Sequence, residues 1–132
     1  KRGGFDVVSG NPPWGARLKS EEQNLLMKNY PEVPSKLKDT YMYFSLLAIN
    51  INRQNGIVGL IVPNTWLLIN NTKEYRKRIL SHDVIEITDF GDDIFQDAIV
   101  ESAIFILRKS QKQSQLIKAR KYRKSISKFN KI

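Results

Sequence analysis

Apolar and polar positions along this chain fall into runs and spacings that divide it into strands, helices and turns. Residues 5–8 form a short apolar run of the kind a buried parallel strand shows. Asn11-Pro12-Pro13-Trp14 ends it, because two prolines remove two amide donors and fix φ at both positions. After a loop to Lys19, Ser20-Glu21-Glu22-Gln23 has the spacing of a capping box and predicts a short helix through Leu25, Leu26 and Lys28, stopped by Tyr30-Pro31. Few apolar residues anchor this connection, which reads equally as a mobile segment or as an ordinary surface connection. Asp39 or Thr40 then caps a helix running to about Arg53, with Tyr43, Phe44, Leu47, Ala48 and Ile51 recurring at the spacing of one face turned to a sheet. Gln54-Asn55-Gly56 turns the chain, and the near-continuous apolar run at 57–62 reads as the neighbouring buried parallel strand.

Parallel strands share their carboxyl ends, so Pro63-Asn64-Thr65-Trp66 should emerge at the same sheet edge as Asn11 to Trp14. Residues 72–80 predict a short charged helix with Lys73, Arg76, Lys77 and Arg78 in solvent, and His82 reads as a helix-end residue with no recognisable catalytic partner. Residues 84–90 alternate as a strand does, Gly91-Asp92-Asp93 turns the chain, and 98–107 supplies another strand. The link between these two is too short for a crossover helix, so they should pair antiparallel, and residues 115–123 are expected to add a further exposed strand. The pattern as a whole is α/β: two parallel strands followed by an antiparallel pair.

Composition narrows this picture. The chain has 132 residues, 41% of them hydrophobic, enough for one modest core. Cysteine is absent, which excludes disulfides and thiolate metal sites and is compatible with a reducing cytoplasm. No run of 18 apolar residues indicates a membrane span. The opening Lys1-Arg2-Gly3-Gly4, directly before a strand, reads as a cut inside a longer protein.

The net charge of +9 is unevenly spread. Residues 1–107 carry 12 basic and 13 acidic side chains, whereas residues 108–132 carry 10 basic and none acidic. A neutral core with a basic tail is not a uniformly basic nucleic-acid-binding domain. The tail reads equally as a phosphate-contacting segment or as a solvated linker. Asp89, Asp92, Asp93 and Asp97 match no calcium-loop spacing and read as a polar turn.

Candidate chemistry concentrates at Asn11-Pro12-Pro13-Trp14. A stiff corner at the carboxyl end of a strand presents an amide side chain, a proline carbonyl and an indole where ligands of open α/β sheets sit. Such a corner suits attack by a planar amino nitrogen, which is a poor nucleophile because its lone pair is delocalised. The Asn11 side-chain oxygen and the Pro12 carbonyl would each take one N–H, aiming the lone pair at an electrophilic methyl group, while Trp14 stacks on the flat substrate.

Residues 5–14 resemble motif IV of the S-adenosylmethionine-dependent amino-methyltransferases, whose pattern is Asn or Asp, Pro, Pro and an aromatic. Lys38-Asp39-Thr40-Tyr41-Met42-Tyr43-Phe44, the stretch from Gly56 to Leu67, and Phe95-Gln96-Asp97-Ala98 before Ser102-Ala103-Ile104-Phe105-Ile106-Leu107 resemble the later motifs of DNA adenine-N6 methyltransferases, in the correct order over residues 5–109. The likeness is to the large fused, type IIG-like restriction–modification enzymes. It implies the C-terminal half of a Rossmann-like class I methyltransferase sheet at 1–109, with 110–132 as a basic tail or linker toward a target-recognition region.

The same resemblance implies catalytic roles for Asn11, Pro12, Pro13 and Trp14, and base contact by Trp14, Phe95 and, more weakly, Asn64. Trp14 stands where the family more often has Tyr or Phe; an indole stacks as well but cannot reproduce a phenol's hydrogen bond. The implied cofactor is S-adenosyl-L-methionine, bound mainly by residues preceding Lys1 and adjacent to Asn11, and the implied partners are double-stranded DNA with a flipped adenine and the N-terminal half of the same domain. A cytoplasmic bacterial or phage-type setting follows. Gly3-Gly4 and Gly56-x-x-Gly59 lack the strand–loop–helix context of a nucleotide fingerprint, so this stretch alone is expected to bind cofactor poorly and to be inactive. Two other readings stand beside this one: an amino-methyltransferase for protein glutamine or RNA, and a non-catalytic DNA-binding fragment, which would keep salt-sensitive DNA binding after Asn11→Ala.

Overall fold

The computed structural model describes residues 3–37, 39–91, 101–111 and 116–121. Strand β1 (Phe5–Gly10) leads through the Asn-Pro-Pro-Trp corner to helix α1 (Ser20–Asn29) and helix α2 (Thr40–Ile51). Strand β2 (Asn52–Pro63), two short 3-10 turns (Asn64–Leu67 and Asn70–Thr72) and helix α3 (Lys73–Leu80) follow. Strands β3 (Asp83–Gly91), β4 (Ser102–Arg108) and β5 (Lys118–Lys121) complete the order. The five strands make one sheet in the order β1-β2-β4-β3-β5.

The expected parallel pair and antiparallel pair are both present. β1 runs parallel to β2, with Val8 opposite Val58 and Gly10 opposite Leu60, and β3 runs antiparallel to β4. β4 also inserts beside β2, antiparallel, with Leu60 opposite Phe105, which the short β3–β4 link allows because an antiparallel partner needs no crossover. β5 pairs parallel with β3 at the far edge. Its Lys118 and Arg120 lie opposite Glu86 and Thr88, and both approach the Glu86 carboxylate, at 3.7 and 3.3 Å.

Three local expectations are corrected. Gln54-Asn55-Gly56 is not a turn between helix and strand: α2 ends at Ile51 and β2 begins at once, with the surplus residues held as a bulge between the Phe5–Asn52 and Val7–Ile57 pairings. Asn55 takes a positive φ of 64° there, an αL conformation that Asn tolerates. The face of α2 is also rotated from the predicted one. Tyr41, Met42, Ser45, Leu46 and Ile49 are buried, with Tyr43 and Ala48 beside them, whereas Phe44, Leu47 and Ile51 are exposed. α2 is apolar nearly all round, so spacing alone selects no face.

The third correction concerns the connection after Trp14, which has more apolar anchors than the sequence suggests and so fits the ordinary-connection reading. Val33 is buried, Tyr30 meets the edge of Tyr43 with ring centroids 6.1 Å apart, and Arg78 reaches Glu32 at 3.7 Å. α1 itself begins one residue earlier than its capping pattern predicts, with the Glu22 carboxylate accepting the Lys19 amide N–H at 2.8 Å.

The core lies on one face of the sheet. Val58, Leu60 and Val62 of β2 and Phe105 and Leu107 of β4 pack against α2 and against Tyr75 and Ile79 of α3. Trp66, almost fully buried, meets Tyr75 and Phe105 edge-to-face, both at 5.8 Å.

Candidate active site

The two loops that leave the carboxyl ends of β1 and β2 meet, as parallel pairing requires. Trp14 and Gly15 of the first loop, Pro63 and Thr65 of the second, and Asp39 and Tyr41 at the start of α2 line one cavity of about 340 Å³, a size within the range of small-molecule sites. Asn11, Pro12 and Pro13 lie on the other side of the same corner. They line a groove of about 370 Å³ that runs along β1 beneath Phe44, Leu47 and Ile51 of α2. The corner thus borders both hollows, with Trp14 lining the first and Asn11 to Pro13 the second.

Each side chain of the corner has a distinct environment. Pro12 is buried and plugs the end of the strand, Asn11 is exposed, and Trp14 is half-buried against the core. Among the described residues, neither the Asn11 side chain nor the Pro12 carbonyl is engaged in a hydrogen bond. The Pro13 carbonyl, by contrast, accepts a 2.7 Å bond from the Thr40 hydroxyl. The same hydroxyl oxygen accepts the Ala16 N–H at 3.2 Å, and the Asp39 carboxylate accepts the Gly15 N–H at 2.8 Å. Asp39 occupies the N-cap position predicted for it, yet its side chain makes no bond to its own helix.

The loop after β2 is equally held. Asn64 is buried, and its Nδ2 donates to Asp89 at 3.0 Å and to Glu101 at 2.8 Å, while its backbone N–H donates to the Glu101 carbonyl at 2.9 Å. Its amide nitrogen is thus turned toward the end of β3 and the residue before β4. Arg76, expected in solvent, instead donates to the carbonyls of Trp66 at 2.7 Å and Ile69 at 2.6 Å. The Thr72 hydroxyl, with one proton to donate, lies within hydrogen-bond distance of the same two carbonyls, at 2.9 and 2.7 Å. Tyr41 Oη lies 3.4 Å from Thr65 Oγ1, and burial pushes its phenol up to about 12, with the Thr65 contact opposing, so it stands as a neutral phenol at neutral pH.

Sequence reasoning placed Asn11 to Trp14 and Asn64 at one sheet edge, and they are there. It missed the parts played by Asp39, Thr40, Thr65 and Arg76, which depend on contacts across 7 to 27 residues of chain that no local periodicity records. Phe95, with Asp92, Asp93 and Asp97, lies outside the described residues. His82 sits past the end of α3 with Nε2 at 3.2 Å from Arg78; burial foremost, and Arg78 beside it, lower its affinity for a proton. The glycines fill no phosphate cradle among the described residues: Gly3 and Gly4 precede β1, and Gly56 and Gly59 lie inside β2.

Chemically, the corner offers two open oxygen acceptors on a rigid backbone with a flat aromatic beside them. A sheet of parallel strands extended by an antiparallel pair, with this corner at its carboxyl edge, defines the class I methyltransferase fold. A Listeria monocytogenes protein described as a class I S-adenosylmethionine-dependent methyltransferase superposes with a TM-score of 0.72 at 16% identity, over 90% of this chain and 37% of its own. The DrdV–DNA complex superposes with a TM-score of 0.70 at 20% identity, over 88% of this chain and 14% of its own.

The family is narrower than the fold. The chain belongs to the Eco57I restriction-modification methylase family, whose model matches residues 1–95. It is 28% identical over 105 residues to the type II methyltransferase M.VspI of Vibrio sp. (strain 343), covering 80% of this chain and 25% of that protein. It is 25% identical over 112 residues to the type II restriction enzyme and methyltransferase RM.Eco57I of Escherichia coli, covering 80% of this chain and 11% of that one. The chain thus spans a quarter or less of the length of these curated relatives.

Proposed function

We propose that this chain is the acceptor-side half of a restriction–modification DNA methyltransferase that transfers a methyl group to the N6 amine of adenine. The observation that carries the reading is the corner itself: Asn11 and Pro12 present oxygens free of hydrogen bonds from the described residues, on a backbone stiffened by two prolines, at the carboxyl edge of parallel strands. Family membership and relatives named as type II methyltransferases support DNA as the substrate.

In this reading the Asn11 side-chain oxygen and the Pro12 carbonyl accept the two N–H bonds of the target amine and turn its lone pair out of the ring plane. The base is rotated out of the duplex, and Trp14 stacks on it, with Phe95 as the opposing aromatic. S-adenosyl-L-methionine supplies the methyl group when bound; the glycine-rich residues that hold it are assigned to the preceding half of the domain, with Asn11 bordering the sulfonium side. The edge of β1 not paired with β2 is the place for that half to continue the sheet. The basic stretch from Arg108 onward gains a natural role alongside the DNA phosphates.

The test uses the full-length parent, tritiated S-adenosylmethionine and unmethylated duplex DNA, followed by nucleoside analysis. Label should appear in N6-methyladenine. Loss of one oriented polar group at a reacting centre costs on the order of 10²–10³ in kcat, and Asn11→Ala should fall by that much, with Trp14→Ala weakened chiefly in base capture. Label in N4-methylcytosine, or in a protein or RNA fraction with DNA unlabelled, would refute the adenine assignment.

A further inference from the structure

We propose that Asp39 and Thr40 are positioning residues that set the orientation of the Asn-Pro-Pro-Trp corner from the first turn of α2, a role that rests on the methyl-transfer reading above. Three hydrogen bonds carry it. Thr40 Oγ1 donates to the Pro13 carbonyl at 2.7 Å and accepts the Ala16 N–H at 3.2 Å, and Asp39 Oδ1 accepts the Gly15 N–H at 2.8 Å. They bracket Trp14 on both sides and leave the two acceptors of the corner, the Asn11 side chain and the Pro12 carbonyl, untouched.

The corner needs such an external hold. Pro12 and Pro13 have no N–H, so the strand-to-loop junction cannot tie itself with the usual local turn bonds; the rings fix φ but not ψ. Gly15, at φ +63°, is the pivot by which the chain turns away, and its amide is the one Asp39 takes. An aspartate at an N-cap ordinarily bonds its own helix and stabilises its first turn. Here that bond is absent and the carboxylate reaches 24 residues back instead. Thr40 is 3% exposed, so its hydroxyl is largely shielded from water while its partners Pro13 and Ala16 lie at the surface. The next residue, Tyr41, approaches Thr65 of the other loop at 3.4 Å, so one helical turn touches both walls of the cavity that holds Trp14.

The consequence is geometric. Misplacing a reacting group by about 1 Å can cost on the order of 100-fold in rate. Thr40→Val in the full-length enzyme keeps the shape but removes both bonds, and it should lower kcat for methyl transfer by about 10- to 100-fold while KM for cofactor and DNA stays within about twofold. Thr40→Ser, which restores the hydroxyl, should recover most of the rate. Fluorotryptophan at Trp14, with its fluorine resonance assigned through Trp14→Phe, reports the corner without any substrate. Its line should be single in the unaltered enzyme and in Thr40→Ser, and broadened or doubled in Thr40→Val, while the line of the buried Trp66 stays put.

A Thr40→Val protein with an unaltered Trp14 line and full kcat overturns the proposal. So does one in which the Trp14 and Trp66 lines collapse together, for then the residue merely holds the fold. If the parent labels no DNA, the methyl-transfer reading fails, and the Trp14 line still decides whether the clamp exists.

Discussion

Asn64 and Asn11 sit at the ends of neighbouring parallel strands, and the difference between them is in their hydrogen bonds. Asn64 directs its amide nitrogen at two carboxylates, Asp89 and Glu101, and so locks the end of β2 to β3 and to the start of β4. Asn11 is exposed, with no such partner among the described residues. Asn64→Asp would replace the donor by a third acid between the other two. A buried donor lost to unsatisfied or repelling partners costs about 1–3 kcal/mol, and the variant should lose at least that in urea-denaturation stability, whereas Asn11→Asp should leave stability unchanged. Sequence could name both residues as edge residues, since strand polarity fixes where they emerge. It could not show what holds Asn64, because Asp89 and Glu101 approach it from 25 and 37 residues away.

At the scale of elements, α2 explains most of what the sequence pattern misplaced. Its residues Tyr41, Met42, Tyr43, Phe44, Leu46, Leu47, Ala48, Ile49 and Ile51 are apolar on every side, so the existence and start of the helix were plain but its rotation was not. The observed rotation brings Thr40 and Tyr41 of its first turn onto the loops after β1 and β2 and buries Leu46 and Ile49 in the core. Leu46→Ala should cost about 2–5 kcal/mol, as a buried large-to-small change does. Phe44→Ser, on the outward face, should cost this 132-residue chain under about 1 kcal/mol. A larger loss at Phe44 than at Leu46, read from thermal or chemical melts, would mean that the helix is turned as its spacing first suggests. Strand identity was easier to read, because buried parallel strands such as β2 carry near-continuous apolar runs and the alternation in β3 survives its register shifts; β1, read as buried in the same way, is instead exposed, because among the described residues nothing covers its outer face or edge. The insertion of β4 between β2 and β3 left no mark in the sequence, since its residues would alternate identically in either place.

Among the described residues the sheet is covered by helices on one side. α2 and α3 cover the face of Val58, Leu60 and Phe105, while Ile57, Ile61, Ile104 and Ile106 alternate onto the opposite face and remain half-exposed. On that opposite face Val7 of β1 is 61% exposed, as is Phe5. Sheets with parallel strands of this kind are stable when both faces are covered, so the uncovered face and the unpaired edge of β1 mark where the proposed cofactor-binding half would pack. The same surface explains why the corner alone should not suffice: its acceptors border a groove that is open along β1. Calorimetric titration of the isolated 132-residue chain with S-adenosylmethionine should therefore give no saturable heat, whereas the full-length parent should bind. Hydrogen exchange should mirror this, with the outward-facing amides of β1 exchanging freely in the isolated chain and protected in the parent. Saturable binding by the isolated chain would place the cofactor site on residues 1–132 and remove the reason for assigning it to a preceding half.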